Sequence, residues 1–148
     1  GRLRHYAPRA CARYWKVIFQ VNTMHSALKN IASELDKGGI QYSMVNECIH
    51  VELPKHFDTL IIEIWNAQGE DSISLLSGSF HTHGDIEASE YGLDSREEGI
   101  RHLIECIFNG TFKMVRRPNK DGQLENTIWD TFSLNLIKEC DVFEIVEI

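Results

Sequence analysis

The sequence predicts a single α+β domain, an antiparallel sheet of about five to seven strands with two helices packed on one face. Three observations predict it. Apolar residues recur at helical spacing in two stretches, near residues 25–37 and 95–109. Short β-rich runs separated by turn residues lie between and after them. The connections between those runs are too short for repeated parallel crossovers, which disfavours a doubly wound α/β fold. The second sheet face is expected to be partly wet.

Each element has its own signal. Ser26 is positioned to cap a first helix whose Ala27, Leu28, Ile31, Ala32 and Leu35 share one face, and Gly38-Gly39 supplies a left-handed stop. The runs IQYSMV and CIHVEL flank Asn46 and Glu47 as a hairpin. TLIIEIW follows a Pro-containing loop, and after the AQGED turn SISLLSGSFHTH reads as one strand. Its Gly78 marks a bulge or a close backbone approach. GDIEASEYGL is polar with a glycine near each end and reads as a loop. Ser95 with Glu98 matches a capping box for the second helix. Ile100, Leu103, Ile104, Ile107 and Phe108 form its buried stripe, and Gly110 ends it. TFKMVRR and ENTIWDTF pair across PNKDGQ, and LNLIKEC and VFEIVEI complete the strands.

Bulk composition narrows the function. The 148 residues, 43% hydrophobic and 25% charged, suit one globular domain that needs no staples. No apolar run approaches the about 20 residues of a membrane-spanning helix. Residues 1–23 carry Arg2, Arg4, Arg9, Arg13 and Lys16 and no acid. They read as a basic leader, dispensable for folding: a cloning-derived extension ahead of a start at Met24, a transit peptide or a native basic arm. Residues 24–148, the domain proper, hold ten Lys/Arg against 22 Asp/Glu, a charge of -12. Such a body repels nucleic acid and anionic membranes and attracts basic surfaces. Cys11, Cys48, Cys106 and Cys140 show no paired spacing and read as free thiols, which suggests the cytoplasm. Lys113, Arg116, Arg117 and Lys120 read as a solvated edge strand protected by charge.

One stretch concentrates chemistry. SGSFHTHGDIEASEYGLD places His81, His83, Asp85, Glu87 and Glu90 within ten residues. Two histidines at i and i+2 of a strand share a face, which suits one metal ion, with Asp85 as third ligand and Glu87 or Glu90 activating a water. His81-Thr82-His83 resembles the His-x-His of JAB/JAMM metalloproteases, with Glu63 or Glu70 standing for the upstream acid. Gly84 replaces that family's proline, and Ser89 and Asp94 are out of register. The plainer alternative is two neutral histidines bonded to neighbouring acids, or contacts to a partner. There is no Walker loop, dinucleotide fingerprint or nucleophile elbow.

The layout from Thr59 to Gly110 resembles small bacterial proteins encoded beside toxins. The likeness lies in TLIIEIW, an acidic turn, SFHTHGD and the helix EEGIRHLIECIFNG. Immunity proteins of contact-dependent inhibition and polymorphic toxin systems belong to this class. The resemblance implies tight binding to a cognate toxin domain, commonly a nuclease, whose active site is blocked. It implies no catalytic residues. The acidic body agrees, since a nuclease needs a basic active-site groove and an acidic protein can be steered to it. The expectation is therefore a cytoplasmic binding protein, not an enzyme, without metal or cofactor, whose partner is a toxin rather than nucleic acid or membrane. The partner-binding surface is placed at His81, His83, Asp85, Glu87, Glu90, Tyr91 and Asp94. The alternative is a metal-dependent hydrolase on the His-x-His pair. The acidic stretch around Glu139, Asp141 and Glu144 is the next candidate surface.

Overall fold

The computed structural model describes residues 25–130 and 146–148. The leader at 1–23, the LNLIKEC run and the surface at Glu139, Asp141 and Glu144 lie outside the described residues. Helix α1 spans Ser26–Lys37 and buries Leu28, Ile31, Ala32 and Leu35, the stripe its spacing predicts. His25 rather than Ser26 is its N-cap, because the His25 Nδ1 accepts the Ala27 N–H at 3.0 Å. At the other end Gly39 has φ +68°, its N–H reaches Asp36 O, and Ile40 N–H reaches Leu35 O. This is a Schellman motif, with the left-handed residue one position later than the cap.

Five strands form one antiparallel meander in sequential order: β1 (Ser43–Val45), β2 (Cys48–Glu52), β3 (Thr59–Ile64), β4 (Asp71–Leu75) and β5 (His81–Thr82). Asn46 and Glu47 both take positive φ between paired Val45 and Cys48, the pattern of a type I′ hairpin turn. The register aligns Val51 with Leu60, Ile49 with Ile62, Leu60 with Leu75 and Ile62 with Ile73. These six side chains form one apolar face, all buried in the core with α1. The opposite face is partly wet, as expected: Cys48, Ile61, Glu63, Ser72 and Ser74 are buried at its centre, while Glu52 is exposed and His50, Thr59 and His81 are half-buried. Cys48 is disulfide-bonded, which corrects the reading of four free thiols; Cys106 remains a buried thiol.

Two expectations change between residues 72 and 93. The expected long strand is a hairpin, with β4 turning back so that Ile73 pairs with Thr82. A Cβ on Gly78 would run into Asn126 O, so the chain reverses against another strand, the close approach this glycine signals. The expected loop is instead helix α2, Gly84–Glu90, followed by α3, Arg96–Phe108. α3 starts as predicted: Ser95 Oγ accepts Glu98 N–H at 3.2 Å and lies 3.3 Å from the Glu98 carboxylate.

The remaining strands form a second antiparallel sheet, β7-β6-β8, from β6 (Phe112–Pro118), β7 (Leu124–Asp130) and β8 (Val146–Glu147). The fold is thus α+β with antiparallel pairing, divided into two sheets among the described residues. β6 is the middle strand of its sheet rather than an edge. Two of its cations are structural: Arg116 bonds Asn126, and Arg117 lies 5.0 Å above the Trp129 ring. Phe112, Met114 and Ile128 join the core formed by the first sheet and both long helices. Asn126 ties the sheets together: its amide donates to Phe57 O at 2.9 Å and to Asp58 Oδ2 at 3.1 Å, and its carbonyl accepts Ser79 N–H.

Candidate binding site

α2 exists because of a residue far from it in sequence. Asp71, first in β4, has a wholly buried side chain. Its Oδ2 accepts the Gly84 N–H at 2.6 Å, placing a carboxylate at the N-terminus of α2, and its Oδ1 accepts from Arg96 at 2.7 Å. One side chain therefore anchors α2 and the first turn of α3. Burial pushes the Asp71 carboxyl above its ordinary range, while the Gly84 and Arg96 bonds pull the other way. Asp71 and Arg96 escaped the sequence reading because nothing local links residues 25 positions apart.

The histidines sit beside this node. Their rings share a side of the strand, as the i, i+2 spacing predicts, and meet edge to face with centroids 4.6 Å apart. His83 Nδ1 lies 2.6 Å from Asp71 O. A carbonyl only accepts, so this nitrogen carries the proton. His81 Nε2 lies 3.2 Å from Ser72 Oγ. Both imidazoles thus have protein partners on β4. Glu70 is occupied in the β3–β4 turn, accepting from Asn66 Nδ2 at 2.7 Å. Among the described residues no group of three or more His, Cys, Asp or Glu is arranged to hold a metal ion.

The acids divide into two kinds. Glu87 is fully buried and accepts the Thr82 hydroxyl at 2.7 Å, locking α2 to β5, so it presents no charge to a partner. Asp85, Glu90 and Asp94 are exposed. Tyr91 is 40% exposed, and its ring rests on His102 at 4.4 Å between centroids. Arg96, the cation within this rim, is held by Asp71 and lies 3.9 Å from Asp85. Of the expected surface, the structure brings Asp85, Glu90, Tyr91 and Asp94 to the outside along α2 and its exit, leaves His81 and His83 half-buried at its base, and removes Glu87.

No family model, curated protein or solved structure matches this chain. What the site can do is therefore argued from its own groups. An anionic rim around a supported aromatic ring can attract and dock a basic surface.

Helices α2 and α3 approach each other closely. A Cβ on Gly99 would overlap Gly84 O and come within 2.6 Å of Ala88 N. A glycine inside an amphipathic helix was the available signal, since that position costs helix stability unless something must pass close by.

Proposed function

We propose that this chain is a binding protein of the immunity type, which neutralises a cognate toxin domain by covering its basic active-site groove. The observation that supports this is the exposed rim Asp85, Glu90 and Asp94 around Tyr91, on a body of charge -12 over residues 24–148. Exposed acids steer a basic partner and raise the association rate. A tyrosine held against His102 keeps little rotamer freedom to lose on docking, which suits an anchor. Nuclease grooves are basic because they hold phosphates, and this rim presents charge of the same sign. Among the described residues no helix is long and apolar enough to cross a membrane. A cytoplasmic location belongs to the same proposal; the Cys48 disulfide weighs against it.

The test is a binding titration against the purified partner recovered with this chain as bait. Asp85→Lys, Glu90→Lys and Asp94→Lys should each slow association, and added salt should shrink the difference. Tyr91→Ala should speed dissociation by an amount worth about 1–3 kcal/mol. Unchanged rates in all four variants, with the fold intact, would move the interface elsewhere. Glu87 is not a usable probe, because a lysine in its buried position would unfold the helix rather than report on contact.

A further inference from the structure

The face of the first sheet turned away from the helices has a covered centre. α1, α3 and the second sheet join the core on the Leu60, Ile62 and Ile73 side. α2 is locked to Thr82, the partner of Ile73 on that same side. On the other side Cys48, Ile61, Glu63, Ser72 and Ser74 are nevertheless only 2–8% exposed. Side chains stand roughly perpendicular to a sheet, so serines this inaccessible lie under a further layer of chain. Cys48, at one end of this face, is disulfide-bonded, and Cys106 is a thiol, so the second sulfur belongs to Cys11 or Cys140. Cys48 Sγ lies 3.9 Å from the Glu63 carboxylate. With Glu52 the face carries two acids, and neither lysine nor arginine among its described residues.

We propose that the basic leader, residues 1–23, lies across this face and is held there by a Cys11–Cys48 disulfide. Both stretches outside the described residues hold apolar side chains that could cover Ile61, so charge decides between them. Arg9 and Arg13 stand two residues either side of Cys11, whereas Glu139 and Asp141 adjoin Cys140. Joining Cys11 to Cys48 brings cations to Glu63. Joining Cys140 brings two acids against a buried carboxylate, where repulsion is least screened. Over their whole lengths residues 1–23 carry five cations and no acid, and residues 131–145 one lysine and three acids. The entry point fits as well. A Cβ on Gly69, in the β3–β4 turn, would lie 3.4 Å from the His25 ring, and Glu63 and Ser72 pair beside that turn. The chain before His25 therefore has only to pass over that end of the sheet to reach Cys48. As the S–S bond forms, two thiols give up two protons and two electrons to a low-molecular-weight disulfide, which leaves as two thiols. The leader is then part of the fold rather than the dispensable extension its composition suggests, whatever partner the α2 rim takes.

Tryptic mapping of the unreduced full-length chain reads the bond directly. The peptide holding Cys48 should carry residues 10–13 in disulfide linkage, and linkage to Cys140 would overturn the proposal. Thiol titration in denaturant without reductant gives the answer independently of folding. The parent should show two thiols, Cys11→Ala three and Cys140→Ala one; three in Cys140→Ala would sink the assignment. Coverage of the face is tested by charge, in chains with the disulfide intact. Arg9→Glu combined with Arg13→Glu should lower Tm by roughly 2–8 °C, and added salt should shrink the loss. The same reversal at Arg2 and Arg4, farther from the bond, should lower it less. No loss, or equal losses for the two pairs, would overturn the placement on the Glu63 face.

Discussion

Replacing Gly99 with alanine should destabilise the domain, against the usual effect of that change in a helix. Gly99 lies inside α3, where alanine ordinarily gains about 1 kcal/mol over glycine. Here the new methyl would overlap Gly84 O and lie 2.6 Å from Ala88 N and 3.1 Å from Ala88 Cα. All three atoms are backbone of α2, so no side chain can rotate out of the way. Relief requires α2 to move off α3, which stretches the 2.6 Å bond from Gly84 N–H to Asp71. Overpacking of this kind costs about 1–3 kcal/mol, and the added strain on a charged hydrogen bond places the gross cost at the upper end. Subtracting the propensity gain leaves a net loss of about 1–2 kcal/mol. For a domain of this size that lowers Tm by roughly 2–8 °C. Urea unfolding followed by far-ultraviolet circular dichroism measures it, with exposed Ser33→Ala in α1 as a control that should gain a few tenths of a kcal/mol, or about that. A Gly99→Ala protein as stable as the parent would refute the close crossing of α2 and α3.

Further expectations concern buried groups. Asp71→Ala removes the acceptor for both Gly84 N–H and Arg96 and should cost about 3 kcal/mol in urea unfolding, with hydrogen exchange accelerating first in α2; a loss within the noise would mean α2 holds without its remote cap. Because burial raises the Asp71 pKa above 3.8, the folded chain grips that proton more tightly than the unfolded chain. Its contribution to stability is therefore full below pH 3.8 and declines as pH rises through the raised value, a slope that Asp71→Asn should flatten. His50 behaves in the opposite sense: burial lowers its pKa, and its buried Nε2 has no hydrogen-bond partner among the described residues. Stability from His50 is present above pH 6.5 and is lost as pH falls from there through the lowered folded value, so His50→Gln should reduce the decline in stability across that interval.

Elements specified by neighbours in sequence were legible, and elements specified from a distance were not. The α1 stripe, the Asn46–Glu47 turn, the Ser95–Glu98 cap and the hairpin across 118–123 each rest on residues within a few positions of one another, and each forms as read. α2 was read as a loop because its cap is the side chain of Asp71, 13 residues upstream of Gly84. The strand over 72–83 was read as continuous because the force that folds it back is the Asn126 backbone, some 48 residues beyond Gly78. The candidate surface was found through its acidic composition, which is a property of the segment. Which of its acids face outward was not, because Glu87 is withdrawn by Thr82 on a strand whose position depends on the same hairpin.

The amide of Asn126 makes the two sheets mechanically interdependent. Its nitrogen holds the Phe57–Asp58 corner before β3, while its carbonyl oxygen in the backbone holds Ser79 before β5. A tug on β7 is therefore felt at both ends of the meander, and one of those ends leads directly into His81, His83 and α2. Slippage of the second hairpin by even one residue would exchange Asn126 for Glu125 or Thr127, neither of which can offer a carboxamide donor to Phe57. The first sheet thus acts as a ruler for the register of the second, and errors in assembling β6 and β7 would be registered as a displaced α2 rim some distance away.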